Sequence, residues 1–218
     1  MNAGSIKRTA IPTRRAEARA LFHNAILDAA EEVIAERGFH AARIHDIAER
    51  ARIAVGTVYN HFPTKHEVLR ALLEERMAGL RKELAAAAGD PVAFEERLVA
   101  RVSRILAYVD RHRPFFVIAI DHGLFGSASA TAETVLRGKP LREIARAKSA
   151  LLAIVQEGLD AGSLVEQDPV RLVQFLGGAI RGFVAGSLQT GLQRIQDEAP
   201  IIVSLFLHGA GRPARRSR

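Results

Sequence analysis

Apolar residues recur with a period near 3.6 along most of the chain, and no stretch keeps the strict alternation of a half-buried strand. The first stripe, Phe22, Ala25, Ile26, Ala29, Val33 and Ile34, predicts a helix over 19–37, with Gly38 placed as a left-handed cap. A second helix over 44–51 carries Ile44, Ile47, Ala48 and Ala51 on its inner face. Its start lacks a capping hydroxyl, because Ala42 and Arg43 stand there. After a break at 52–54, a short helix runs from Val55 to Phe62 and is stopped by Pro63. Thr64 and Glu67 then form a T-x-x-E capping box opening a long helix to about Ala88, with Leu69, Leu72, Leu73, Met77, Leu80 and Leu84 on one stripe. At ~1.5 Å per residue it is a rod of roughly 37 Å, long enough to join two parts of a molecule.

Gly89-Asp90-Pro91 breaks that rod. Further helices are expected over 91–111, from Arg113-Pro114 through Ile120, and over 141–161, where Gly162 ends the element. Asp168 and Pro169 supply an N-cap and a first-turn proline for a helix over 168–189, and 200–208 forms a last apolar one. The segment 123–139, rich in Gly, Ser, Ala and Thr, reads as a loop or a weak short helix. The expected fold class is all-α with nine or ten helices. Gly178, Gly182 and Gly186 recur every fourth residue along the helix 168–189. Three interior glycines cost a helix ~3 kcal/mol relative to alanine, so a close neighbour is expected to offset them. That neighbour is either a second copy of the chain or another helix of the same one.

Composition narrows the chemistry. With no cysteine among 218 residues, disulfides, thiolate metal sites and cysteine nucleophiles are excluded. The eight histidines show no metal-ligand spacing, and no nucleophile–base arrangement or phosphate loop is visible. No catalytic residue, metal or cofactor is therefore expected, and an enzyme would need chemistry the sequence does not display. No apolar run approaches the ~18 residues of a membrane span, and Lys7 and Arg8 precede no apolar stretch, so neither a membrane partner nor a signal peptide is expected. A reducing cytoplasm suits this usage. The net charge of +7 is concentrated at the ends, with +4 over 1–19, +4 over 212–218 and −1 between them. Residues 209–218 read as a solubilising, disordered tail. The basic arm 1–18 reads as flexible, and gains weight only if a DNA-binding unit follows it.

The short helix separates into two faces. With Val58 and Phe62 turned inward, Ala54 and Val55 fall on the inner side too. Gly56, Thr57, Tyr59 and Asn60 are left outside, with His61 at the margin. Glycine permits close backbone approach, Thr57 and Tyr59 supply hydroxyls, and Asn60 offers a paired donor and acceptor. An ordinary solvated face carries lysine and glutamate; this one has neither.

Residues 26–73, ILDAAEEVIAERGFHAARIHDIAERARIAVGTVYNHFPTKHEVLRALL, resemble the DNA-binding domain of TetR/AcrR-type transcriptional regulators. The resemblance is carried by Gly38-Phe39, Ile47-Ala48, Gly56-Thr57, Tyr59, His61-Phe62 and Lys65. It implies an all-helical homodimer, with a helix-turn-helix domain over 19–66 and a larger ligand-binding and dimerisation domain over 67–208. It places Tyr59, His61 and Lys65 on the phosphate backbone and Thr57 and Asn60 near bases or phosphates. Arg43 stands where a small hydroxyl residue would face the same backbone, and Ala54, Val55 and Gly56 complete the DNA-facing set. Lys65 also lies in the first turn of its helix, where free N–H groups favour a phosphate.

The family often has Gly at position 52, Ser at 54 and a basic residue at 55, where this chain has Arg52, Ala54 and Val55. If the turn keeps a positive φ at 52, a non-glycine there costs ~1 kcal/mol. Either Arg52 accepts that strain in return for a phosphate contact, or the turn tolerates arginine and its side chain is solvated. The resemblance further implies a dimer interface on the last two long helices, bringing in Gly178, Gly182 and Gly186. The apolar candidates for an effector pocket are Phe94, Leu98, Val102, Tyr108, Phe115, Phe116, Ile120 and Phe125, with Asp121 and His122 as polar anchors. They suit a small apolar or amphipathic molecule. The expected function is a ligand-responsive repressor on a double-stranded DNA operator. A ligand-independent regulator or an activator is the alternative, and a helical enzyme the more distant one.

Overall fold

The computed structural model describes residues 14–85, 93–121 and 139–210, and these contain helices and no strand. The chain separates into two compact units between Val68 and Leu69.

In the first unit, α1 (Arg14–Ala41) starts earlier than the expected 19, because Arg14–Ala18 is built from strong helix formers and has Glu17 in its first turn. That part of the arm is therefore helical rather than flexible, and residues 1–13 lie outside the described ones. The buried stripe is Ile26, Leu27, Ala29, Ala30, Val33 and Ile34. Phe22, expected on that stripe, is 44% exposed, since it lies at the edge of the stretch of α1 that the other helices cover, where His61 shields it only in part. Gly38 breaks α1 at φ 76° and ψ 157°. This is not the left-handed cap expected but an extended, positive-φ conformation that is essentially open only to glycine.

The second helix, α2 (Ile44–Ala51), buries Ile44, Ile47 and Ala48. Its N-cap Arg43 has no acceptor to offer, but the Arg43 N–H donates to Asp46 Oδ2 at 3.0 Å, so the far half of a capping box forms alone. The helix ends on Arg52 at φ 55°, ψ 42°, whose N–H donates to Glu49 O. Next, α3 (Val55–His61) buries Val58, and Phe62 follows it in the extended conformation that Pro63 demands. Finally, α4 (Lys65–Ala85) opens with Thr64 Oγ1 accepting the Glu67 N–H at 3.2 Å. It runs across the boundary between the units, and the expected end at Ala88 lies outside the described residues.

The second unit continues with α5 (Phe94–Arg111), α6 (Arg113–Asp121), α7 (Lys139–Asp160), α8 (Pro169–Thr190) and α9 (Ala199–Ala210). A short 3-10 helix over Ile195–Glu198, which the periodicity does not reveal, precedes α9. On α8, Asp168 Oδ1 accepts the Val170 N–H at 2.9 Å and Gly191, at φ 70°, ends the helix. The core pairs α5 with α9 and α7 with α8. Leu72, Leu73, Met77, Leu98, Leu106, Phe115, Leu176 and Phe206 are buried within it. Around that core, Glu157 of α7 receives Arg97 and Arg101 of α5, both at 2.7 Å. Glu143, also of α7, receives Arg81 of α4 at 3.0 Å, together with Arg146. The loop-or-helix question over 123–139 falls outside the described residues except at Lys139, which opens α7.

Candidate nucleic-acid interface

The interface is built on α3, held from below by Val58 and Phe62 in the core. Its outer side leaves Gly56, Tyr59 and Asn60 exposed, with Tyr59 at 51%, and Thr57 half-buried beside them. Ala54, the N-cap, is exposed and forms no side-chain cap, and Val55 is half-buried. A Cβ placed on Gly56 would meet nothing within 4 Å, so the glycine answers no packing demand of this chain. What remains is a low, hydrogen-bonding surface without carboxylates, which suits approach to base edges and phosphates.

The frame under α3 is ionic as well as apolar. Arg50 of α2 forks to Glu36 at 2.7 Å and to Glu32 at 2.7 Å, both on α1. The hydrogen bond from Arg50 holds the Glu36 carboxyl below its ordinary value, and the charges of Arg50 and Arg37 add to it. Arg37 pairs with Asp46 at 2.9 Å. Burial pushes the Asp46 carboxyl up, but the Arg43 N–H and the Arg37 guanidinium outweigh it and hold it low. No local pattern in the sequence reveals these cross-links, because charges spaced 9 to 18 residues apart leave no local signature.

The remaining residues expected at the interface fall into two groups. Arg43 and Arg52 are exposed; the Arg43 charge acts on the Asp46 carboxylate, and neither guanidinium makes a side-chain hydrogen bond among the described residues. Arg52 does keep the left-handed conformation, so its strain is real. His61 and Lys65 are instead turned into the unit. The His61 ring lies 6.4 Å from Phe22, 6.5 Å from His23 and 6.2 Å from Phe62. Burial lowers its pKa, and the charges of Arg19 and His23 lower it further, so the ring is neutral near pH 7. The Lys65 ammonium donates to the carbonyls of Phe39, His40 and Ala42 at 2.5, 3.0 and 2.9 Å.

Among the pocket candidates, Phe94, Leu98, Val102, Tyr108, Phe115 and Phe116 are buried and Ile120 is half-buried. Several are tightly engaged with their own chain. The Tyr108 hydroxyl donates to Arg76 O at 3.0 Å, and a side chain at Gly79 would collide with it. A side chain at Gly158 would likewise collide with Phe94 and Leu164. His122 and Phe125 lie outside the described residues, as does the side chain of Asp121. No group of three or more His, Asp or Glu able to hold a metal occurs among the described residues. No described helix is long and apolar enough to cross a membrane.

A second uncovered surface lies on α8. A Cβ at Gly178, Gly182 or Gly186 would meet nothing within 4 Å among the described residues, so no described helix supplies the close approach expected there. An open groove of about 580 Å³ is lined by Ala179, Gly182, Phe183, Gly186, Thr190 and Leu192, among others. Phe175, Ile201 and Leu205 are exposed on the same two helices, α8 and α9, at 57%, 50% and 60%.

Residues 26–72 match the family described as bacterial regulatory proteins, tetR family. The fatty acid metabolism regulator protein of Bacillus subtilis is 30% identical over 156 residues, covering 68% of this chain and 74% of that protein. The transcriptional repressor KstR of Mycolicibacterium smegmatis is 31% identical over 118 residues, covering 52% of this chain and 56% of that one. Among solved structures, the fatty acid degradation regulator FadR of Bacillus halodurans superposes with a TM-score of 0.73 at 24% identity, over 86% of this chain and 98% of that one. FadR of Bacillus subtilis, solved in complex with stearoyl-CoA, gives 0.73 at 23% identity over the same shares. A helix-turn-helix with an uncharged outer face thus lies within a chain similar to known regulators both in sequence, over most of its length, and in fold, and the chain belongs to the TetR family of bacterial transcriptional regulators.

Proposed function

We propose that the protein is a repressor that binds a pseudo-palindromic operator as a homodimer and is released by a small amphipathic effector. The observation that carries the DNA half is the outer side of α3, where Gly56, Tyr59 and Asn60 are exposed, with Thr57 half-buried beside them, on a helix anchored by Val58. Arg43 and Arg52 supply charge for phosphates on either side of α2. Two such helices in a dimer enter successive major grooves ~34–36 Å apart. The apolar, glycine-lined side of α8 with Ile201 and Leu205 of α9 supports a two-fold interface, since a contiguous exposed apolar patch is a liability in a monomer. The effector class follows from the relatives: one is named for fatty acid metabolism and one structure holds stearoyl-CoA, so a long-chain acyl thioester is the first candidate. Effector binding displaces α4, the helix shared by both units, and the coupling needed is typically 1–3 kcal/mol. A bacterial protein acting on DNA would work in the cytoplasm.

A gel shift with duplex DNA flanking the protein's own gene tests the reading. A retarded band that stearoyl-CoA disperses is the expected result. A band that no acyl thioester disperses removes the effector half and favours a ligand-independent regulator, and no band at all removes the DNA half.

A further inference from the structure

We propose that Lys65 is a positioning residue that staples the start of α4 to the corner between α1 and α2, setting the pose of the recognition unit without itself touching DNA. An ammonium group has three N–H donors, and all three are directed at carbonyl oxygens: Phe39 at 2.5 Å, His40 at 3.0 Å and Ala42 at 2.9 Å. These carbonyls lie beyond the break at Gly38, in and just after the single turn that closes α1 at Ala41, where backbone acceptors have few helical partners. Nζ also lies 4.6 Å over the ring of Phe39, itself buried, and the neighbouring His66 meets that ring edge-on at 5.1 Å. Burial lowers the pKa of Lys65, as expected of a cation that has exchanged water for protein.

The staple reaches the DNA-binding helices through one residue. Ala42, the third acceptor, precedes Arg43, which is the N-cap of α2 and whose N–H is held by Asp46. Holding Ala42 therefore fixes the entry into α2 and the direction in which Arg43 leaves it. Moving Lys65 to a phosphate would strip three carbonyls at once, whereas Arg43 and Arg52 are exposed and have no side-chain hydrogen bond among the described residues to give up. The charge facing the backbone is thus carried by the arginines.

The DNA part rests on the proposed function, whereas the staple itself does not. The test uses the full chain and its Lys65→Met variant. In the wild-type protein, a ¹H–¹⁵N correlation of the Lys65 ammonium is expected to be slow in exchange and unmoved by added duplex. In the variant the melting temperature falls on the order of 4 °C. Binding to a duplex flanking the protein's own gene, and to one of random sequence, weakens several-fold with an unchanged slope of log affinity on log salt. A variant that melts like the wild type, with a slope shallower by about 0.9, identifies a phosphate contact and overturns the staple. If the variant does not fold, the wild-type resonance decides, and a fast-exchanging ammonium overturns the proposal. If neither duplex binds, the DNA reading fails, and the melting and exchange measurements decide the staple alone.

Discussion

The outer side of α3 and the glycine side of α8 are both helix surfaces that the described chain leaves bare, yet they are bare in opposite ways. On α3 the exposed groups are a glycine, a tyrosine and an asparagine, and only Tyr59 offers a large side chain, half of it in water. On α8 the glycines lie beside Phe175, with Ile201 and Leu205 exposed on α9. A surface rich in hydrogen-bonding groups is stable in water and can wait for a ligand. An apolar surface is a liability in water until it is covered, and in the proposed function its cover is a second copy of the chain. On that reading the difference separates a reversible contact from a lasting one.

The strongest way to break this comparison is Gly182→Leu. Its Cβ meets nothing among the described residues, so each protomer is expected to keep its fold, while overpacking at a two-fold contact costs about 1–3 kcal/mol per clash. The dissociation constant should rise at least tenfold by sedimentation with unchanged helical circular dichroism; a variant that stays equally dimeric removes α8 from the interface. Next in size is Asn60→Ala, expected to cost DNA affinity about 2 kcal/mol on a preferred sequence with no change in salt slope. Equal losses on all sequences would demote Asn60 to a backbone contact.

Arg52→Gly relieves the left-handed strain and should stabilise the protein by about 1 kcal/mol, read as a higher melting temperature. A shallower salt slope of DNA binding is expected alongside; unchanged binding would make the side chain merely solvated. The smallest effect is expected at Glu157. The hydrogen bond from Arg101 lowers its pKa, burial opposes this, and Arg97 adds to the lowering. With the folded value depressed, the stabilisation is present above the unfolded pKa of about 4.3 and is lost as the pH falls through the folded one. Glu157→Gln should flatten the acid limb of stability by a few tenths of a kcal/mol, as half-exposed ion pairs do; an unchanged acid limb would show that the pair adds nothing.

Much of the fold is written locally. The 3.6-residue stripes place Ile26, Val33, Ile47, Val58 and Leu69 in the core, where all are buried. The Asp168-Pro169 start and the Pro63 stop act at their own positions, and the all-α class follows from them. Element ends are less legible. The extra turns at Arg14 and the 3-10 helix at Ile195–Glu198 depend on propensity and packing rather than on period. Phe22 shows the limit of the pattern, since an apolar residue on the right stripe stays partly exposed where its neighbours, His61 among them, cover it only in part.

The sequence by itself determined the helix-turn-helix, because a recognition helix needs only one short amphipathic element, a turn and a cap, all within reach of nearest-neighbour physics. It also determined that Gly38 and position 52 are turn points. Tertiary structure alone decided where the charges go. Lys65, which reads as a phosphate ligand in the first turn of its helix, is turned inward by carbonyls 23 to 26 residues away. Likewise Arg50 is drawn to α1 by Glu36, 14 residues back, and Tyr108 to the Arg76 carbonyl, 32 residues back. A hydrogen bond is read by distance in space, and only a folded chain has that distance.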